Sequence, residues 1–364
     1  MRYALILAGG SGTRLWPMSR RATPKQLIPF IGGKSLLEIA VERLAGLFPV
    51  ERVWVCAGEE HRAAVLAGVG GWANEQFLGE PAGRDTLSAV GFGAAILSRS
   101  DPDAAIAVFT ADHLIGPVGE FQQIVGQGLA LVERSPETLV TFGIAPTGPA
   151  TSYGYLELGE AIEGGARLVR QFREKPGPES AAEYFSAGPE RYLWNSGMFV
   201  WRAATLLDSI RRYRPLVHEG LMRIAGSWET PQRDAVLAET YPALEKISVD
   251  YAVMEPASRD SSLRVAAIPM PLSWLDVGSW PMFAQTCARD EGGNWLAAET
   301  HALVETSNTL VASSDPQHLI ATIGCENLIV IHTPDATLVC RADCAEAVKE
   351  LQRMVAERFG GKYV

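Results

Sequence analysis

Tyr3-Ala4-Leu5-Ile6-Leu7 is an unbroken apolar run with no alternation, the pattern of a β-strand buried on both faces. A glycine-rich stretch follows. Residues 35–47 then carry an apolar stripe (Leu36, Leu37, Ile39, Ala40, Leu44 and Leu47) that predicts a helix. Short apolar runs at 53–56, 105–109 and 139–143 predict further buried strands, and helical patterns at 61–66, 86–97 and 120–133 fall between them. This alternation predicts an α/β fold with a doubly wound, mostly parallel, Rossmann-like sheet. The middle is less regular, with strands expected at 153–158, 168–174 and 198–202. A helix is expected at 203–213, a helical region at 221–244 and a strand at 263–268. Beyond about residue 290 the texture changes to short, closely spaced strands at 309–312, 318–323, 328–331 and 336–340, and then a helix at 345–359. Two domains are therefore expected, 1–288 and a small β-rich module at 289–364.

Composition narrows the class of partner. The chain of 364 residues is 47% hydrophobic and 20% charged, ordinary for a globular protein, so it can bury a large core. Its net charge of −10, with no basic stripe, argues against a nucleic-acid partner. No charged leader precedes an apolar core, and no run approaches the ~20 apolar residues of a membrane span. A cytoplasmic protein is expected, with Cys56, Cys287, Cys325, Cys340 and Cys344 as reduced thiols. Neither the cysteines nor the histidines show metal-ligand spacing.

The richest chemistry lies in residues 7–25. Gly9, Gly10 and Gly12 let the backbone turn tightly and approach a ligand, and successive amides in such a turn make a concave anion site. Arg14 offers a planar fork for phosphate oxygens, and Lys25, after Pro24, adds a compact second cation. The string is neither a P-loop nor a dinucleotide fingerprint, since G-x-x-x-x-G-K-[ST] is absent and Leu15 stands where G-x-G-x-x-G needs its last glycine. The glycines alone also fit plain turn chemistry, the less favoured of the two readings.

The string G-G-x-G-x-R-L-x-P…P-K resembles the signature of sugar-1-phosphate nucleotidyltransferases. Five further segments resemble one branch, the mannose-1-phosphate guanylyltransferases: Gly79-Glu80-Pro81-Ala82-Gly83-Arg84-Asp85-Thr86, Thr110-Ala111-Asp112-His113, Phe172-Arg173-Glu174-Lys175-Pro176, Trp194-Asn195-Ser196-Gly197-Met198-Phe199 and Asp276-Val277-Gly278-Ser279-Trp280. They occur in family order across nearly the whole chain. The resemblance implies GTP and mannose 1-phosphate as substrates, GDP-mannose and pyrophosphate as products, and a short left-handed β-helix as the C-terminal module. A homo-oligomer, a dimer, is expected. Other readings are a different pair, dTTP or UTP with glucose 1-phosphate, or a non-catalytic sugar-nucleotide-binding subunit. Retention of Arg14, Lys25, Asp112, Lys175 and Asp276 argues against the last.

Within that resemblance, Arg14, Lys25, Asp112 and Asp276 are the expected catalytic set. Asp112 and Asp276 are the expected Mg²⁺ ligands, since Mg²⁺ takes hard oxygen donors and one or two carboxylates. Taken singly, either aspartate reads more often as a turn or capping residue. Leu7, Ala8, Gly9, Gly10, Gly12, Thr13, Glu80, Arg84, Asp85 and Thr86 are expected at the nucleotide, with Asp85 or Thr86 equally plausible as a helix N-cap. Gly154, Glu174, Lys175 and Asn195 are expected at the sugar phosphate, where Asn195 can both donate to and accept from a hydroxyl. His113 is expected to be structural, and Met198 and Phe199 to be core. The family usually carries Asn where Asp85 stands and Pro where Thr110 stands, with an aromatic in place of Thr23 and Leu27.

Overall fold

The structure is a computed structural model that describes residues 1–10 and 12–364. In chain order its regular elements begin β1 (Arg2–Leu7), α1 (Leu36–Glu42), β2 (Val53–Gly58), α2 (Arg62–Gly68), β3 (Phe77–Glu80), α3 (Asp85–Ser100), β4 (Ala105–Thr110), β5 (His113–Gly116) and α4 (Val118–Arg134). Then come β6 (Thr138–Ile144), β7 (Tyr155–Ala161), β8 (Arg167–Arg173), α5 (Pro178–Ser186), β9 (Tyr192–Arg202), α6 (Ala203–Tyr213), α7 (Pro215–Ser227), α8 (Arg233–Thr240), α9 (Glu255–Ala257), β10 (Arg264–Pro269) and β11 (Ser273–Asp276). The last are α10 (Trp280–Ala284), β12 (Ala288–Arg289), β13 (Trp295–Ala297), β14 (His301–Val304), β15 (Leu310–Ser313), β16 (Ile320–Ile323), β17 (Leu328–Thr333), β18 (Ala336–Arg341) and α11 (Val348–Phe359).

The chain divides into two compact units. The first comprises Met1–Gly9, Ala40–Ala111 and Ile115–Trp274. It holds a nine-stranded sheet of order β3-β2-β1-β4-β9-β6-β10-β8-β7. The β3-β2-β1-β4 run and the β10–β6 pair are parallel, while β9, β8 and β7 join antiparallel. Successive side chains of β4 point to opposite faces. Val108 joins the cluster that contains Phe92 and Leu97 of α3. Phe109 meets Phe121 of α4 at 5.9 Å on the other face. Helices therefore cover both faces, which explains why β1 and β4 read as continuous apolar runs. Several helix starts follow local rules: α5 and α7 place Pro178 and Pro215 in the first turn, where no amide is needed.

The second unit comprises Gly10–Ile39, Asp112–Leu114 and Leu275–Val364. Strands β13, β15 and β17 stack in parallel register, β14 pairs parallel with β16, and β18 closes the stack antiparallel to β17. Its core joins Leu310, Ile329, Ile331 and Leu338 of the stack to Val348 of α11, Trp280 of α10, and Leu15, Trp16 and Leu36 from the N-terminal stretch. Among the described residues no helix is long and apolar enough to cross a membrane, and no disulfide forms.

Candidate functional site

In the second unit the signature loop is built around Gly12, whose φ of 58° is the left-handed conformation that glycine adopts without strain. A Cβ there would stand 2.7 Å from Ser19 Oγ and 2.9 Å from Lys25 Cβ, so only glycine fits. The Leu15 amide donates to the Gly12 carbonyl (2.8 Å) and starts a 3₁₀ turn over Thr13–Leu15. Leu15 is fully buried, and this anchor leaves Arg14 half-exposed, 3.4 Å from Glu346. Lys25 is buried and donates to Asp112 Oδ2 (2.7 Å) and to the Val277 carbonyl (3.3 Å).

The two aspartates come together through the backbone, since the Val277 amide donates to the Asp112 carbonyl at 3.1 Å. Ligand atoms of Asp112, His113 and Asp276 all lie within 4.8 Å of one another. Burial works to raise the Asp112 carboxyl, but the Lys25 ammonium and His113 outweigh it and hold the group well below the usual carboxylate range. Asp276 is pushed up instead, first by burial and then by the Asp112 charge. Two clustered carboxylates, one of them raised by the other, are a donor set suited to a hard divalent cation such as Mg²⁺. Arg14, Lys25, Asp112 and Asp276, predicted from three separate stretches, are thus parts of one unit, with His113 Nε2 3.8 Å from Asp112 Oδ1.

The first unit carries two further groups. At the end of β3, Glu80 is buried and accepts a hydrogen bond from the Tyr241 hydroxyl at 2.7 Å. Its Oε2 lies 3.4 Å from where a Cβ on Gly9 would stand, so Glu80 faces the turn that follows Leu7, the last residue of β1, and Ala8. Burial raises its carboxyl, against the Tyr241 hydrogen bond. Arg84 donates to the Pro242 carbonyl. Asp85 has φ of 65°, and its carboxylate accepts the Thr86 amide at 2.7 Å, so it shapes the start of α3. The Thr86 hydroxyl oxygen accepts the Val249 amide at 2.9 Å.

The other group surrounds Gly154. Its carbonyl accepts the Asn195 amide (2.8 Å), and a Cβ on it would stand 2.5 Å from Glu174 Oε2 and 3.4 Å from Asn195 Cβ. Glu174 is buried and pairs with half-exposed Lys175 at 2.9 Å. Burial raises the Glu174 carboxyl, with Lys175 opposing. Lys175 has φ of 43°. Asp85 and Lys175 are the two non-glycine residues of this unit, among those described, with positive φ, and both lie in motif segments. Such strain persists where the surroundings over-determine it, and it concentrates at functional sites. Asn195 is held at both ends: its Oδ1 accepts from the Thr141 hydroxyl (2.7 Å), and its Nδ2 donates to Asp250 Oδ1 (2.8 Å). Burial, followed by the Glu174 charge, pushes the Asp250 carboxyl up to about 7.

Thr141, Tyr241 and Asp250 were not legible as site residues. Each is a lone polar residue in an apolar or helical context, and its partner lies 54, 161 and 55 positions away, respectively.

Residues 3–291 match the family model described as nucleotidyl transferase, and residues 299–354 match the MannoseP isomerase/GMP-like beta-helix domain. The xanthan biosynthesis protein XanB of Xanthomonas campestris pv. campestris is 36% identical over 95% of this chain and 72% of its own length. A mannose-1-phosphate guanylyltransferase of Klebsiella pneumoniae is 34% identical over 100% of this chain and 76% of its own. A crystal structure described as mannose-1-phosphate geranyltransferase from Thermus thermophilus superposes with a TM-score of 0.83 at 34% identity, covering 97% of this chain and 99% of that one. The chain therefore belongs to the nucleotidyl transferase family, and within it to the mannose-1-phosphate guanylyltransferases.

Proposed function

We propose that the protein makes GDP-mannose and pyrophosphate from GTP and α-D-mannose 1-phosphate. A phosphate oxygen of the sugar phosphate attacks the α-phosphorus of GTP. The bond from that phosphorus to the bridging β-oxygen breaks, and pyrophosphate leaves with the electron pair. The attacking phosphate is already ionised, so no general base is required. Positioning and charge neutralisation carry the reaction. The observation that carries this reading is the cluster of Arg14, Lys25, Asp112 and Asp276 beside the Gly12 turn, in a chain of this family.

Gly10, Gly12 and Thr13 present the loop backbone to the nucleotide phosphates, and the Arg14 fork supports charge growing on the pyrophosphate. Lys25 fixes the Asp112 carboxylate and stands over the same phosphates. Glu80, Arg84, Asp85 and Thr86 form the base side. Glu174, Lys175, Asn195 and Gly154 form the sugar-phosphate side, with Lys175 taking the phosphate. Mg²⁺ would be held by Asp112 and Asp276, and when bound it supplies positive charge to the anionic reactants. We take residues 1–288 as the catalytic domain, 289–364 as the β-helix domain, and a cytoplasmic homo-oligomer as the working form.

Pyrophosphate release measured across a matrix of NTPs and sugar 1-phosphates tests the reading. GTP with mannose 1-phosphate should be the best pair, and EDTA should abolish its turnover. A best pair of dTTP or UTP with glucose 1-phosphate would replace the substrate assignment. No release with any pair would overturn the enzymatic reading.

A further inference from the structure

Residues 241–250 touch both recognition groups of the first unit. At one end the Tyr241 hydroxyl holds Glu80 Oε1 at 2.7 Å, and the next residue, Pro242, accepts from Arg84 through its carbonyl. At the other end the Val249 amide donates to the Thr86 hydroxyl oxygen (2.9 Å), and Asp250 Oδ1 accepts from Asn195 Nδ2 at 2.8 Å. Between these anchors Ala243, Glu245 and Lys246 are exposed, while Tyr241, Leu244 and Val249 are buried. The segment is a ten-residue strap, anchored at both ends, with buried and exposed positions interspersed between them.

We infer that this strap sets specificity for both substrates, with Tyr241 positioning Glu80 for the base and Asp250 positioning Asn195 for the sugar. This rests on the guanylyltransferase reading given above and deepens it.

The base end follows from what each carboxylate is already doing. Asp85 is exposed and occupied with the Thr86 amide. Glu80 is buried with Oε1 held by Tyr241, which leaves Oε2 directed toward the Gly9 turn. Guanine offers adjacent N1–H and N2–H₂ donors, and a fixed carboxylate accepts from them. Burial keeps the Tyr241 hydroxyl protonated, so it remains a donor to Glu80. At the sugar end, an unrestrained amide could present either its oxygen or its nitrogen. Thr141 takes the oxygen and Asp250 one N–H, so Asn195 is left with one orientation and one N–H for a hexose hydroxyl.

Two conservative variants separate the ends. Tyr241→Phe should reduce the GTP-over-ITP preference in kcat/KM about three- to tenfold, the scale of one misplaced hydrogen bond, and leave the KM for mannose 1-phosphate unchanged. In a Glu80→Gln background it should add no further loss. Asp250→Asn should raise the KM for mannose 1-phosphate about tenfold and narrow its preference over glucose 1-phosphate, with the GTP-to-ITP ratio unchanged. Circular dichroism establishes that each variant is folded, and each end is read independently of the other. The wild-type enzyme runs alongside: if it fails on GTP and mannose 1-phosphate, the guanylyltransferase reading fails and the strap falls with it. If the wild type is active, but the variants keep its ratios or lose both preferences in parallel through kcat alone, the strap assignment is wrong.

Discussion

Lys25 and Gly154 show how single residues decide what the site groups can do. Lys25 is tied to Asp112 at 2.7 Å, so its charge is committed to a carboxylate before any phosphate arrives. Removing it leaves Asp112 and Asp276 as two facing anions. We expect Lys25→Met to cut turnover by about 10²-fold, the scale of one lost charge-stabilising group. The same variant should not raise the Mg²⁺ concentration needed for half-maximal rate, because the carboxylates then attract cations more strongly. A Mg²⁺ titration that moves to much higher concentration would show that Lys25 organises the aspartates rather than balancing them. Asp112→Asn and Asp276→Asn should each lower turnover by orders of magnitude and shift that titration upward. Gly154 acts by its lack of a side chain, since a Cβ would stand 2.5 Å from buried Glu174 Oε2. Gly154→Ala should therefore displace Glu174 and raise the KM for the sugar 1-phosphate about tenfold at near-normal GTP affinity, a loss on the scale of one hydrogen bond to a charged group. An unchanged sugar KM would remove Gly154 and Glu174 from the sugar side.

Elements with one clear periodicity were legible, and those defined by distant partners were not. Helix α6 lies where Leu206, Leu207 and Ile210 place it, at Ala203–Tyr213. Strand β9 extends back to Tyr192, past the predicted start at 198, because Asn195, Ser196 and Gly197 look like a loop, and the first part of the strand is defined by the pairing of residues 192–195 with β6 and β7. Strand β3, four residues including Gly79 and Glu80, carries too little pattern to be seen. The helical region expected at 221–244 is two helices, α7 and α8, separated near Thr230-Pro231. The motif residues of the site were readable because each motif is local. The strap was hidden because its contacts are long-range hydrogen bonds. One such junction gives a stability prediction. At the end of α6, Asp260 accepts from the Ser262 amide (2.9 Å), the Tyr213 hydroxyl (2.7 Å) and the Ser262 hydroxyl (2.8 Å), and it is pulled down to about 2. An unfolded aspartate titrates near ~3.9, so folding favours the charged form; that contribution is present above ~4 and is lost as pH falls toward 2. Asp260→Asn should lower the urea midpoint at pH 7, and the gap to wild type should narrow as pH falls from about 5 toward 3. A gap that stays constant with pH would mean that shape rather than charge holds this junction.

At the scale of the whole molecule, the signature loop and the C-terminal stack belong to one packed unit despite lying some 300 residues apart. Leu15 and Trp16 share a core with Leu310, Ile329, Ile331, Leu338 and Val348. The Trp16 indole donates to the Tyr363 carbonyl (2.6 Å), its own carbonyl accepts from the Trp280 indole (3.0 Å), and Arg20 pairs with Asp335 at 2.7 Å. Arg14 is presented by a turn whose apolar side is this core, so the stack is part of what preorganises the backbone proposed to bind the phosphates. Leu338 tests this because it is not itself one of the predicted site residues and is 3% exposed. Leu338→Ala should cost about 2–5 kcal/mol locally, the usual range for a buried leucine truncation. The expected signature is faster amide exchange in two separated stretches, residues 328–341 and residues 12–39, with residues 86–100 of α3 unchanged. Turnover should fall while the KM for mannose 1-phosphate holds, because the residues assigned to the sugar lie in the other unit. If exchange quickens only in 328–341 and turnover is normal, the stack is a passive appendage and the loop is organised without it.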